Sequence, residues 1–279
     1  LPLNSAFTEV TQNIGEVENK GIELGINSVN VQQGDFNWNT QFNFSLNRNE
    51  VVDIGQIIGP DGDLVDRELI DEYNITKKGE PIGAFYGWVT NGLFQNAGDI
   101  EDAAYQANAA PGDIRFSNLN SDTIINDQDR TIIGNPSPKF LANLTNTFTY
   151  KGFELSVFFQ GSFGNDIYNQ NLETLEGMHG AYNGTRNLLN RWTSEGQQTN
   201  VPRANVNDPN NNRRFSTRFI EDGSYIRMKN ILLAYSFPQS VIERLNLSQL
   251  RLYVSGQNLL TSTDYSGYDP EVSADPTLS

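Results

Sequence analysis

Asp35-Phe36-Asn37-Trp38-Asn39-Thr40-Gln41-Phe42-Asn43-Phe44-Ser45-Leu46-Asn47 alternates without a break. Phe36, Trp38, Thr40, Phe42, Phe44 and Leu46 fall on one parity, and Asp35, Asn37, Asn39, Gln41, Asn43, Ser45 and Asn47 on the other. Successive side chains of an extended chain point to opposite faces, so this stretch is a strand with one apolar and one polar face. Its length bears on where such a strand sits. An average strand has about 5 to 6 residues, whereas a tilted strand crossing a bilayer needs about 9 to 11. The stretch suits a barrel wall, with a long strand of a soluble sandwich or jelly roll as the other setting.

The flanking sequence repeats the plan. Lys20 to Val31 carries Ile22, Leu24 and Ile26 against Gly21, Glu23, Gly25 and Asn27, then turns through Gln32-Gln33-Gly34. That predicts a hairpin with a tight turn. Phe140, Ala142, Leu144 and Phe148 lead to Lys151-Gly152, after which Phe153, Leu155, Val157, Phe159 and Phe163 alternate with Glu154, Ser156, Gln160 and Ser162. Phe158 interrupts that polar face once. A third pair runs from about Arg218 to Phe237 and from about Gln249 to Leu259. In its first member Ile226 and Met228 lie on the parity opposite to Ile231, Leu233 and Tyr235, which a bulge near Lys229-Asn230 would reconcile. Pro238 to Leu245 is expected to make a single helical turn.

The connections alternate in kind. Tight turns near 32–34 and 150–152 and a compact one near 238–247 contrast with polar, Gly/Asn/Asp-rich stretches at about 48–80, 95–138 and 164–217. Outer-membrane barrels pair short periplasmic turns with long extracellular loops in this way. The short turns then set direction: 20–31, 139–149 and 218–237 run downwards, and 35–47, 152–163 and 249–259 upwards. An even number of strands must lie between 47 and 139. Tyr73 to Phe94 would supply a pair or fold back within a loop. On the same logic a further downward strand is expected after Ser279, and 1–279 reads as an internal portion of one barrel.

Composition narrows the chemistry. Hydrophobic content is 37%, and no apolar run approaches the roughly 18 residues of a transmembrane helix. Strands that are apolar at every second position keep average hydropathy low even when one face meets lipid. The chain has no Cys and one His, His179, which removes thiol nucleophiles and argues against His-based triads or multi-His metal centres. A formal charge of -15 argues against nucleic acid as a partner, since neutralising phosphates requires clustered Lys and Arg. The N-terminal LPLNSAFTEV has no basic and apolar leader pattern, so in an exported protein it is not expected to be the true start.

Several strings resemble the C-terminal barrel of the SusC/RagA family. They are Asn13-Ile14-Gly15-Glu16 with Asn19-Lys20-Gly21-Ile22-Glu23, Pro81-Ile82-Gly83-Ala84-Phe85-Tyr86-Gly87, Pro111-Gly112-Asp113, Ile133-Gly134-Asn135-Pro136, Arg191-Trp192-Thr193, Ser224-Tyr225-Ile226-Arg227, Ser255-Gly256-Gln257-Asn258-Leu259 and Gly267-Tyr268-Asp269-Pro270-Glu271. Their order covers nearly the whole chain. The resemblance implies an all-β fold, an antiparallel transmembrane β-barrel of 22 strands of which this is a fragment. It further implies a plug and a TonB-binding region upstream, a SusD-like lipoprotein over the mouth, and import of oligosaccharides or peptides through the outer membrane of a Gram-negative, Bacteroidetes-type bacterium. No catalytic residue or required cofactor is expected. Trp192, Tyr182, Tyr265 and Tyr268 are candidates for contact with ligand or partner, because aromatic faces stack on sugar rings and peptide side chains. They would serve equally to cap the barrel rim or form its aromatic girdle.

One motif has metal-ligand spacing. Asn118, Asn120, Asp122, Asn126 and Asp129 occupy positions 1, 3, 5, 9 and 12 of a twelve-residue calcium-type loop, which resembles the dockerin-like variant ending in Asp. Asn in place of Asp at position 1, and Thr123 where the sharp turn normally takes Gly, both depart from the pattern. The acidic pairs Asp71-Glu72, Glu101-Asp102 and Glu221-Asp222 read as solvated loop residues, since neighbours in sequence do not fix a glycosidase geometry. The competing function is a soluble or surface-attached β-sandwich that binds glycans. The two readings differ in what the apolar face of each strand meets, lipid or a second sheet.

Overall fold

The computed structural model describes residues 15–180 and 183–271. Its main feature is a six-stranded antiparallel sheet in which every strand pairs with its neighbours in chain order. The strands are β1 (Glu16–Gln33), β2 (Phe36–Asp53), β3 (Phe140–Tyr150), β4 (Phe153–Phe163), β5 (Tyr225–Ser236) and β6 (Arg251–Thr263). β2 pairs directly with β3. No wall strand therefore lies between 53 and 140, and Tyr73 to Phe94 folds back within a loop.

Register carries the two-faced pattern across the whole sheet. Ile26, Phe42, Leu144, Phe159, Met228 and Leu260 form one cross-strand row, one residue from each strand. Another row is Gly25, Asn43, Asn143, Gln160, Arg227 and Thr261, on the opposite face. Because the side-chain period is 2, a one-residue slip in any strand would exchange the two faces. Among the described residues no second sheet covers the apolar face: Ile22 is 66% exposed and Leu252 60%. Such an apolar surface needs lipid or protein against it, and lipid is what the outer face of a barrel wall meets.

The parity conflict in β5 resolves at Lys229. On the β4 side Phe159 pairs with Met228 and Phe158 with Asn230, so Lys229 is an extra residue in β5; on the other side Met228 pairs with Leu260 and Asn230 with Gln257, so Lys229 is matched by two residues of β6, Asn258 and Leu259. Asn258 opposite has φ 51°, the left-handed conformation that Asn tolerates better than most residues. The bulge keeps Ile226 and Met228 on the same face as Ile231 and Leu233, as the sequence requires.

The tight turns have the expected chemistry. Lys151 and Gly152 both have positive φ, 46° and 87°, as a two-residue hairpin that matches strand twist demands. The first turn is Gly34-Asp35, one residue later than Gln32-Gln33-Gly34 suggests, because β1 continues through Gln33. A helical turn, Gln239–Ile242 followed by a 3-10 turn Glu243–Leu245, joins β5 to β6.

Two expected boundaries move. The first hairpin is longer than its uninterrupted alternation, since β2 runs on to Asp53. The segment from Arg218 is not one wall strand. Thr217–Phe219 is a 3-10 turn, Ile220–Asp222 pairs with Asp166–Tyr168, and the wall strand begins only at Tyr225.

The long connections are ordered. Residues 54–139 hold a four-stranded sheet and smaller ladders, and 164–224 contribute a short helix, Gln170–Glu176. Together they share a core in which Tyr168, Phe215 and Phe219 are buried, with Tyr73, Phe85, Ile133, Leu172 and Ile220 packed on it. Both stretches supply residues to that cluster, so the loops form one body on the sheet ends opposite the tight turns.

Candidate functional site

Three features could meet lipid, ligand or partner: the apolar face, the polar face and the loop body. On the apolar face, near the tight turns, Trp38 stacks on Phe148 with ring centroids 5.6 Å apart. Its Nε1 donates to Asn146 Oδ1 at 2.9 Å, and Thr40 Oγ1 donates to the same oxygen at 2.6 Å. An aromatic ring with a satisfied polar tip at the end of an apolar band suits a membrane–water interface.

The polar face is lined mainly by amides and hydroxyls; it also carries Glu154 paired with Arg251 at 3.0 Å and a cluster of charges around β5. Arg227, only 4% exposed, pairs with Asp269 and Glu271 at 2.6 Å each. Lys229, brought to this face by the bulge, reaches Glu271 at 2.7 Å, and the Tyr225 hydroxyl donates to Glu271 Oε1 at 2.7 Å. Hydrogen bonding to Arg227 holds the Asp269 carboxyl below its ordinary range. Burial would raise Glu271, but Lys229 and Tyr225 outweigh it and the net shift is downward.

The loop body is knit by buried polar groups. Asp113 is fully buried and accepts from Arg203, while Asn212 Nδ2 also donates to Asp113 Oδ1 at 3.1 Å. Gln106 Nε2 donates to the Ile114 carbonyl and to Asn210 Oδ1. These amides, spread over two loops, were not singled out by spacing in the sequence.

The candidate aromatic residues separate. Trp192 is half-buried: its indole donates to Gln95 Oε1, its backbone N–H to the Val201 carbonyl, and its ring lies over Gly112. A Cβ on Gly112 would meet that ring at 2.3 Å, and φ there is 88°, so only glycine fits under the indole. Trp192 thus packs within the loop body with part of its surface still exposed. Tyr265 is half-buried, with its ring against Gly267, and burial pushes its hydroxyl pKa up. Tyr268 is 93% exposed at the rim of a cavity of about 310 Å³ bounded by Asn169, Leu175, Thr185 and Ser266. Tyr182 lies outside the described residues.

The five oxygens of the calcium-type loop are turned largely to their own backbone. Asp129 is fully buried, its carboxylate accepting from the N–H groups of Leu119 at 2.8 Å and Asn126 at 2.9 Å. Asp122 Oδ1 accepts from Ile124 N–H, Asn120 Oδ1 from Asp122 N–H, and Asn126 Oδ1 from Gln128 N–H. Asn118 Oδ1 is buried without a hydrogen-bond partner. Among the described residues no group of three or more His, Cys, Asp or Glu side chains could hold a metal ion. The acidic pair Glu221-Asp222 is also structural: Glu221 accepts from Ser266 N–H and Oγ, and Asp222 Oδ1 from Ser224 N–H.

No protein-family model matches the chain. Among curated proteins it is 41% identical, over 97% of its own length, to TonB-dependent receptor P3 of Formosa agariphila. It is 26% identical, over 98% of its length, to TonB-dependent receptor SusC of Bacteroides thetaiotaomicron. The chain is similar to one segment of SusC-type TonB-dependent receptors. This segment spans 27% of the P3 receptor and 26% of SusC. Its fold matches a solved structure of the RagAB peptide transporter with TM-score 0.74 at 23% identity, covering 97% of the segment and 28% of that chain. The RagAB peptide importer in its open-open state matches with TM-score 0.71 over 93% of the segment. The segment is therefore a piece of barrel wall with its loops, and its relatives are receptors and transporters, not enzymes.

Proposed function

We propose that the segment forms part of the wall and mouth of an outer-membrane barrel that imports oligosaccharides or peptides, driven through TonB. The observation that carries this reading is the six-strand register, with one face apolar and uncovered and the other lined by Asn43, Asn143, Gln160 and Thr261. Lipid would lie against the first face and the transport lumen against the second. The names of the relatives, TonB-dependent receptors and a peptide transporter, support both the energy source and the direction of use.

The loop body would face the cell exterior and carry the surface for a SusD-like lipoprotein and for ligand, with Tyr268 the most accessible aromatic group. The host would be a Gram-negative, Bacteroidetes-type bacterium, and TonB would engage a part of the receptor outside this segment. The test is uptake of labelled oligosaccharides and peptides by cells carrying the full-length receptor, with and without TonB. Uptake that persists unchanged without TonB, or fractionation of the receptor into the soluble phase without detergent, overturns the proposal.

A further inference from the structure

Residues 264–271 leave the end of β6 and fold back onto the polar face of the sheet, fastened at two places. Near the loops, Glu221 accepts from Ser266 N–H at 2.9 Å and Ser266 Oγ at 2.7 Å, and Asn169 Nδ2 donates to Ser266 Oγ at 3.0 Å. On the wall, Asp269 and Glu271 are gripped by Arg227, Lys229 and Tyr225. Between the two fastenings, Ser266, Gly267 and Tyr268 form one side of the 310 Å³ cavity whose other side is the helix Gln170–Glu176.

The wall grip centres on Arg227. Arg227 is nearly fully buried, and Pro270 between the two carboxylates is also buried. Two carboxylates share one guanidinium and one ammonium; Asp269, Glu271 and Lys229 keep 41%, 28% and 31% exposure, so the group that loses most on release is the nearly buried Arg227 guanidinium. The bulge at Lys229 belongs to the same device, because it turns one extra cation toward the polar face.

We propose that residues 264–271 are a strap whose charged clasp on β5 determines whether the cavity beside Tyr268 is formed. Release at Asp269 and Glu271 frees the side of the cavity that the strap supplies, so the state of the wall's polar face is transmitted to the loop body. This rests on the reading of the polar face as a lumen only for its role in import; the clasp itself is a property of the described chain.

The test uses the full-length receptor in detergent, otherwise free of cysteine, with nitroxides at Asn171→Cys on the helix and Tyr268→Cys on the strap. Pulsed electron resonance of the otherwise unaltered receptor should give one narrow distance population. Asp269→Asn combined with Glu271→Gln, nearly isosteric and confined to the strap, should replace it with a broad population reaching longer distances. Lys229→Gln, at a partly exposed position, is the second variant and should broaden it in the same sense. A narrow, unshifted population in either variant, in a receptor whose barrel still resists unfolding by detergent on gels, overturns the proposal. Uptake is measured in parallel: a receptor that imports nothing in any strap state overturns the import reading while leaving the clasp result standing.

Discussion

Asp113 and Arg203 face each other across the two long loops, with Arg203 Nε donating to Asp113 Oδ1 at 2.8 Å and Nη2 to Oδ2 at 3.0 Å. The pair fastens the loop between β2 and β3 to the loop between β4 and β5. Asp113→Asn keeps the shape and removes the charge, leaving the guanidinium poorly paired, so the loop body should lose on the order of 3 kcal/mol. Hydrogen exchange of the full-length receptor should accelerate at 105–116 and 200–214 and stay unchanged in β1 and β2.

Phe42 and Gln41 are adjacent in β2 and sit on opposite faces of the wall. Phe42→Lys places an ammonium on the apolar face and should destabilise the receptor in lipid vesicles by about 2–4 kcal/mol, whereas Gln41→Lys should cost little. Urea titration followed by tryptophan fluorescence measures both. Equal effects would mean that the apolar face does not meet lipid.

Trp192 and Tyr268 should behave oppositely. Trp192→Ala opens a void over Gly112 and removes the bond to Gln95, with an expected loss of about 2–3 kcal/mol given that the ring is half-buried. Tyr268→Ala should leave the melting temperature unchanged and weaken ligand binding, measured by calorimetry on the full-length receptor. A stability loss at Tyr268 of similar size would assign it to packing instead.

Acid should act on the strap late. The folded-state pKa values of Asp269 and Glu271 lie below their ordinary 3.8 and 4.5, so their stabilisation is fully present above those values and is lost as pH falls through the lowered ones. The groups facing them are Arg227, Lys229 and Tyr225. The nitroxide distance at Tyr268 should therefore hold constant from neutral pH to about pH 4.5 and broaden only in more acidic solution. Broadening near pH 6 would show that other groups control the strap.

Calcium at Asn118–Asp129 remains a proposal with a direct test. Asp129 already spends both oxygens on backbone N–H groups, so melting curves of the full-length receptor in chelator and in millimolar calcium are expected to coincide. A higher midpoint in calcium would instead assign Asn118, with its unpartnered buried oxygen, as a ligand of a bound ion.

The wall was largely legible from residue order, because strand parity is local: Phe42 and Gln41 announce opposite faces without any partner. Even the bulge at Lys229 followed from Ile226 and Ile231 falling on different parities. The loops were less legible. Asp113, Gln106, Asn210 and Asn212 lie far apart in sequence and read as ordinary polar loop residues until tertiary packing buries them together. In sequence Trp192 suits ligand contact and the barrel rim alike, and its packing over Gly112 is not legible there, since only the fold brings that glycine beneath it.

By itself the sequence determined the strands, their two faces and the alternation of tight turns with long connections, all of which depend on contacts between near neighbours and on the period of 2 in an extended chain. Tertiary structure alone decided that β2 pairs with β3, that the two long loops share a core, and that Asp269 and Glu271 close onto Arg227. Those pairings join residues far apart in the chain, and which distant charge or ring meets which is settled by the burial they achieve together, not by the character of either one.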